Sequence, residues 1–339
     1  MNKKVSLLIP AAKIVPEELQ NLGKLPAVIY PVNQRIVFDY LLEQYGNDCD
    51  VIKVVCYENA DKVHRRLSAY NNDKIEVQDL SMLGDLGHTI YDGLSGYSGE
   101  VIINFGDTIV FDNIQNIQGD CFFCSHDEVS DKWTFFDETN GIITEIYDKT
   151  QKKVVGEKPL FVGVFKLTDV ELFQNCLETA FVEKNLTMGT FYYALMLYSQ
   201  KHSMKAVPTS NWFDIGHIDR YYDTQLEVKS REFNHITIDR ERGILKKTSD
   251  DKDKFIGEIL WYLKLPADIE YVRPRIFSYS TDLNAPYISM EYYSYHTLHE
   301  LFLYGDLTGR QWKNIFNRIR FVINDFRRYT VKDISIRAS

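Results

Sequence analysis

Two aspartates sit where a carboxylate could do chemistry. Asp107 ends the strand-type run Val101-Ile102-Ile103-Asn104-Phe105-Gly106-Asp107-Thr108. A strand ending there puts its carboxylate at the carboxyl edge of a sheet, where open α/β folds bind ligands. Asp214 lies in Trp212-Phe213-Asp214-Ile215-Gly216-His217. The aromatics of that segment anchor it, and the glycine lets the backbone come close to a ligand. Together the two carboxylates read as a clamp for one divalent cation, because hard cations take oxygen ligands of this kind.

The elements that must position them follow from periodicity. Val5 to Ile9, Val51 to Cys56, Lys74 to Val77 and Val101 to Phe105 are apolar strands. Between them, Ile36 to Tyr45, Ala60 to Tyr70 and Thr89 to Leu94 have helical spacing. This alternation predicts βαβ units, with helices flanking a sheet. Strands then dominate, at Phe122 to Ser125, Trp133 to Asp137, Ile142 to Tyr147 and Leu160 to Leu167. Helices are expected at Asp169 to Leu177 and Thr190 to His202, followed by the strand Lys205 to Pro208 leading into Asp214.

After Tyr221 the character changes. Phe233 to Asp239 and Gly243 to Thr248 form an expected hairpin, and Lys252 to Lys264 an amphipathic helix. Arg275 to Tyr279 and Tyr287 to Tyr292 are further strands. A last helix, Gly309 to Arg328, carries Trp312, Ile315, Phe316, Ile319, Val322, Ile323 and Phe326 at three-to-four spacing. The expected division is residues 1–228 and 229–339.

Bulk composition narrows the function. At 339 residues, two domains are the default. A net charge of −9 argues against nucleic acid or an anionic membrane as main partner. A metal–nucleotide substrate is compatible, since the ion supplies local positive charge. Five cysteines, an odd number in a long chain, point to a reducing cytoplasm. Cys121-Phe122-Phe123-Cys124 has redox or zinc spacing, but no second pair completes four ligands, so strand alternation is the favoured reading. The apolar run from Val5 to Ala12 contains Pro10 and is too short to span a membrane or serve as a signal peptide.

The turn after the first strand is where a nucleotide's phosphates would meet backbone N–H groups. It reads Ile9-Pro10-Ala11-Ala12-Lys13-Ile14-Val15-Pro16, and later Gly23-Lys24-Leu25-Pro26-Ala27 and Pro31-Val32-Asn33. With Gly84-Asp85-Leu86-Gly87-His88-Thr89 before a helix, Gly106-Asp107, and Trp212-Phe213-Asp214-Ile215-Gly216, the ordered set resembles sugar-1-phosphate nucleotidyltransferases. The resemblance implies a Rossmann-like (GT-A-like) mixed α/β sheet and Mg²⁺ held by Asp107 and Asp214. It also implies nucleotide contacts at Ala11, Ala12, Lys13, Gly87, Thr89 and Gly106. The chain departs from the family where the glycines after Ala12 are missing and where Ala27 replaces a lysine. Lys13 or Lys24 would supply that charge. For the lysine facing the acceptor phosphate, Glu157-Lys158-Pro159 copies a family signature, but it lies only four residues before Gly163-Val164-Phe165. Lys149, after the strand Ile142 to Tyr147, has the family's spacing and is favoured, with Lys158 second.

The C-terminal part resembles the N-lobe of choline-kinase and aminoglycoside-phosphotransferase-like kinases. The resemblance rests on the hairpin, Lys246-Lys247, Glu258 on a helix, and Ser289-Met290-Glu291-Tyr292. It implies an ATP-site pair of Lys247, or Lys246, with Glu258, and an adenine-facing hinge at Glu291. Such kinases need a His-x-Asp catalytic loop and a later metal-binding Asp. Only Thr330 to Ser339 follow the last helix, so no kinase activity is expected from this chain.

The expected function is therefore a Mg²⁺-dependent cytoplasmic nucleotidyltransferase. It would join an NTP to a phosphorylated sugar, polyol or amino alcohol and release pyrophosphate, in a context the resemblance suggests is capsule or surface-polysaccharide synthesis. Its partners would be an NTP and that small phosphorylated substrate, with no nucleic acid and no membrane insertion. A glycosyltransferase and a degenerate nucleotide-binding scaffold are the competing readings. The first would usually carry an Asp-x-Asp, which Asp107-Thr108-Ile109 lacks.

Overall fold

A computed structural model describes residues 5–32, 35–126, 132–149, 158–217, 221, 234–239, 242–293 and 295–329. The chain divides into two compact units, residues 1–225 and 226–339.

The first unit opens with β1 (Val5–Ala11), the two-residue strands β2 (Pro31–Val32) and β3 (Arg35–Ile36), then α1 (Val37–Tyr45). β4 (Val51–Cys56), α2 (Ala60–Leu67), β5 (Ile75–Asp79), α3 (Leu86–Gly93) and β6 (Glu100–Asn104) complete the alternating half. β6, β1, β4 and β5 lie side by side and parallel. Leu7, Leu8, Ile9, Ile102 and Ile103 are wholly buried, which a parallel sheet requires because helices cover both its faces. Leu8, Val55 and Ile103 pack with residues of α3 and of the helical segments Val170–Val182 and Thr190–Ser199. The alternating residues point the other way. On the Ile102 side, the Tyr45 hydroxyl of α1 donates to Asn104 Oδ1 at 3.1 Å.

The second half is antiparallel. It comprises β7 (Thr108–Val110), β8 (Cys121–Ser125), β9 (Thr134–Thr139), β10 (Ile142–Asp148) and β11 (Leu160–Leu167), then α4 (Val170–Val182), α5 (Thr190–Ser199), β12 (Lys205–Pro208) and β13 (Trp212–Asp214). β11 runs antiparallel to β6 and joins the two halves, and β9 and β10 continue the sheet beyond it. β8 pairs with β11 and with β12. Phe122, Phe136, Phe165, Phe173, Phe191 and Tyr198 form the aromatic centre of the core under α4 and α5. The fold is thus the expected mixed α/β sheet flanked by helices.

Several boundaries moved for local reasons. α3 begins three residues before the expected Thr89, because Asp85 caps it: Asp85 Oδ1 accepts from His88 N at 3.1 Å. β7 and β13 were not foreseen, since three residues are too few to display alternation. Cys121 and Cys124 are free buried thiols within β8, and burial pushes both up to about 11.

The second unit holds an antiparallel sheet ordered β14 (Asn234–Asp239), β15 (Ile244–Ser249), β17 (Tyr287–Glu291), β16 (Ile276–Ser280). α6 (Lys252–Leu263) lays Phe255 and Ile259 against Ile288 and Met290. α7 (Leu298–Tyr304), absent from the sequence reading, starts at a capping box formed by Thr297 and Glu300. α8 (Gly309–Phe326) is the expected last helix, but none of its 18 residues is buried. Among the described residues no helix is long and apolar enough to cross a membrane.

Candidate functional site

The two aspartates are brought together by a ladder of three residue pairs. β13 runs antiparallel to β7, with Asp214 opposite Thr108, Phe213 opposite Ile109 and Trp212 opposite Val110. Ile215 N–H then donates to the Asp107 carbonyl at 2.9 Å. Gly216 comes close to both carboxylates: a Cβ there would lie 2.8 Å from Asp107 Oδ2 and 3.5 Å from Asp214 Oδ1. This close approach is why the position takes glycine. Asp214 is buried at 5% exposure and Asp107 is half-buried. Burial, followed by the Asp214 charge, pushes the Asp107 carboxyl up to about 6. Thr108 Oγ1 donates to Asp107 Oδ1 at 3.2 Å, and His217 Nδ1 meets Asp214 Oδ1 at 2.8 Å. Two adjacent carboxylates are the kind of oxygen donors that a hard divalent cation takes. Among the described residues, no group of three or more His, Cys, Asp or Glu side chains gathers as a metal site.

Beside this pair lies a cavity of about 580 Å³ at the carboxyl ends of β1 and β6. Ala11, Ala12, Lys13, Thr89, Gly106, Asp107 and Lys149 line it, as does Gly216. Gly106 touches the first strand closely, its N–H donating to the Pro10 carbonyl at 3.2 Å. A Cβ at Gly106 would sit 3.0 Å from that carbonyl oxygen. The loop after β1 is braced by Glu58, whose carboxylate takes the Ile14 N–H at 3.1 Å and whose own N–H donates to the Ala12 carbonyl. It therefore offers a phosphate fewer free N–H groups than a glycine-rich loop would.

The remaining sequence candidates separate. Lys24 is exposed and is not among the cavity-lining residues; its carbonyl accepts from Asn59 and Lys62. Gly87 does not line the cavity either. It lets α3 abut α5, because a Cβ there would collide with the Thr190 hydroxyl. Lys158 is held on the β9–β10 surface by Asp137 and by the Tyr147 hydroxyl at 3.2 Å, its ammonium 4.6 Å from the Tyr147 ring centroid. The hydrogen bond from Lys158 holds the Asp137 carboxyl below its ordinary range.

Lys149 differs in two respects. Its ammonium has no hydrogen bond or ion pair with a described residue, and its backbone is left-handed, with φ 44°. The other described non-glycine residues with positive φ are all asparagine, at 59, 71, 140 and 185. Asparagine tolerates that region, whereas for lysine it costs of order 1–2 kcal/mol.

Sequence reasoning missed the residues that build the cavity wall. Asp85 Oδ2 accepts from both the Thr190 hydroxyl, at 2.6 Å, and the Thr190 N–H, at 3.2 Å. Burial would raise the Asp85 carboxyl, but the hydrogen bonds from Thr190 and His88 outweigh it and lower it. Asp148 Oδ2 accepts from the Gly189 N–H and its Oδ1 from the Thr134 hydroxyl, both at 2.7 Å. Two cavity-lining aspartates from distant parts of the chain thus satisfy the first N–H groups at the N-terminus of α5. The Gly-Asp pattern at 84–85 was visible, but nothing local marked its partner 105 residues away.

In the second unit, Lys247 rather than Lys246 faces the helix. Its ammonium lies 2.9 and 2.8 Å from the two Glu258 carboxylate oxygens. Lys246 sits over the Tyr287 ring, 4.8 Å from its centroid. The Glu291 carboxylate accepts from the Tyr293 hydroxyl at 2.6 Å.

The mixed sheet flanked by helices is a fold that solved nucleotidyltransferase structures share. A protein from Bacillus anthracis described as a glucose-1-phosphate thymidylyltransferase aligns at TM-score 0.54 and 12% identity, over 68% of this chain and 97% of that one. A CTP:phosphocholine cytidylyltransferase from Streptococcus pneumoniae aligns at TM-score 0.53 and 13% identity, over 67% and 100%. A nucleoside-diphosphate-sugar pyrophosphorylase from Vibrio cholerae aligns at 0.51 and 12%, over 65% and 99%. No protein-family model matches the chain, and no curated protein matches it.

Proposed function

We propose that the first unit is a Mg²⁺-dependent nucleotidyltransferase that joins an NTP to a small phosphate monoester and releases pyrophosphate. The observation that carries the reading is the adjacent pair of like-charged carboxylates, half-buried Asp107 and buried Asp214, set beside a cavity lined by Lys13 and Lys149, whose ammonium groups pair with no described residue. A pair of buried like charges is costly unless a cation lies between them. Asp107 and Asp214 would hold Mg²⁺, which neutralises triphosphate charge when bound.

Transfer of this kind relies on positioning and charge neutralisation rather than on a covalent enzyme intermediate. An acceptor phosphate oxygen forms a bond to the α-phosphorus while the bond from that phosphorus to the β-phosphate bridging oxygen breaks. Lys149 attracts the dianionic acceptor, and Lys13 lies on the loop that would carry the triphosphate. The Thr89 hydroxyl is engaged with the Asp85 carbonyl at 3.2 Å, so the base would meet backbone groups of residues 83–86. Phosphorylated sugars, polyols and amino alcohols all fit this chemistry, and capsule or surface-polysaccharide synthesis is a setting in which such products are consumed.

The test is a panel of CTP, UTP, GTP, ATP and dTTP with Mg²⁺ and candidate phosphates, read as pyrophosphate release. Release with one NTP–acceptor pair, abolished in Asp107→Ala, supports the reading. Sugar transfer from an NDP-sugar, or no nucleotide binding at all, overturns it.

A further inference from the structure

We infer that Asp148 is a positioning residue for the transfer, acting through Lys149; the inference rests on the function proposed above. Lys149 follows β10, and its N–H donates to the Trp133 carbonyl at 3.2 Å, extending the β9–β10 ladder by one step. The chain then turns through the left-handed conformation that brings Lys149 to the cavity wall. A lysine does not hold that conformation unaided, so its surroundings must impose it.

Asp148 supplies the restraint. It is the last residue of the ladder, opposite Thr134, and its Oδ1 accepts from the Thr134 hydroxyl across that pair. Its Oδ2 reaches the Gly189 N–H at the start of α5. One carboxylate therefore ties the strand end to a helix that is itself fixed to α3 by Asp85 and Thr190. With both oxygens engaged, Asp148 is turned away from a metal-ligand role. Its consequence for the reaction is where Lys149 points.

Asparagine can keep both bonds, its carbonyl accepting from Gly189 and its amide donating to Thr134, whereas alanine keeps neither. In pyrophosphate-release kinetics, Asp148→Ala is expected to raise KM for the acceptor phosphate about tenfold, with KM for the NTP changed less than about twofold. Asp148→Asn is expected to recover most of that loss. If Asp148 acts through Lys149, the double variant Asp148→Ala/Lys149→Met is no worse than Lys149→Met alone. Circular dichroism and thermal melts establish that each variant is folded. A folded Asp148→Ala enzyme with unchanged acceptor KM, equal losses for acceptor and NTP, or losses that multiply in the double variant would each overturn the inference. A wild-type protein that releases no pyrophosphate with any pair overturns the proposed function and the role of Asp148 with it, an outcome distinct from an active wild type with an indifferent Asp148→Ala.

Discussion

Each unit holds one prominent charge pair, and the two pairs are opposites. In the first unit Asp107 and Asp214 are like charges, half-buried and buried, and the Asp107 carboxyl is pushed up by burial and by its neighbour. In the second, Lys247 and Glu258 neutralise each other at 2.8 Å with two hydrogen bonds. A self-neutral pair is complete without a ligand, whereas two adjacent carboxylates call for a cation. The same contrast recurs between two lysines of the first unit. Lys158 is spoken for by Asp137 and Tyr147, while Lys149 has no described partner and lines the cavity.

The strongest way to break this comparison is to remove a carboxylate. Asp107→Ala or Asp214→Ala is expected to lower pyrophosphate release at least ~100-fold and to abolish any rise of melting temperature on adding Mg²⁺. An alanine variant that turns over normally would end the metal-clamp reading. Lys149→Met comes next. It should raise the acceptor KM by about ten- to a hundredfold, while Lys158→Met stays within about threefold of wild type because Lys158 does not line the cavity and is already paired with Asp137. Equal losses in the two would erase the distinction between them.

Gly216→Ala probes the spacing of the pair itself. Its Cβ would fall 2.8 Å from Asp107 Oδ2, so that carboxylate must move. Mg²⁺ affinity, measured by calorimetry, should drop about tenfold in a protein that still folds. In the second unit, Glu258→Ala strands the Lys247 ammonium and should destabilise by about 1 kcal/mol, seen as a lower melting temperature with the Mg²⁺-dependent rise intact.

The smallest effect concerns pH. Asp137 is held below the ordinary carboxylate range by the hydrogen bond from Lys158. Its stabilising contribution is therefore complete above the unfolded value and is lost as pH falls through the lower folded one. Lys158→Met should lower the melting temperature slightly near neutrality, where that contribution is complete, and flatten the profile below about pH 4 so that the two proteins converge in acid.

Much of the architecture was legible because local physics encodes it. The parallel strands are continuous apolar runs, and the helices carry their own spacing, so β1, β4, β6 and β11 lie close to where periodicity put them. The place of Asp107 was legible as well, since the apolar strand β6 stops at Asn104 and Gly106 follows, leaving the carboxylate at the sheet edge. Asp85 and Asp148 were not. Each matters through a bond to the start of α5, from chain positions 105 and 41 residues away, and no pattern in their own neighbourhoods records that distance. The apolar stripe of α8 shows the reverse: a periodicity that announces a helix and says nothing of burial, for Phe316 and Ile323 are 61% and 47% exposed.

The sequence by itself determined the element types, the mixed α/β class and the two acidic segments, because strand and helix periods and glycine placement act over a few residues. Only the tertiary structure decided which charges meet. A three-pair ladder set Asp214 beside Asp107, register turned Lys247 rather than Lys246 toward Glu258, and Asp137 took Lys158 out of the cavity while Lys149 was left in it. Electrostatic interaction falls with distance in space, and distance in space is fixed by strand pairing between segments far apart in the chain.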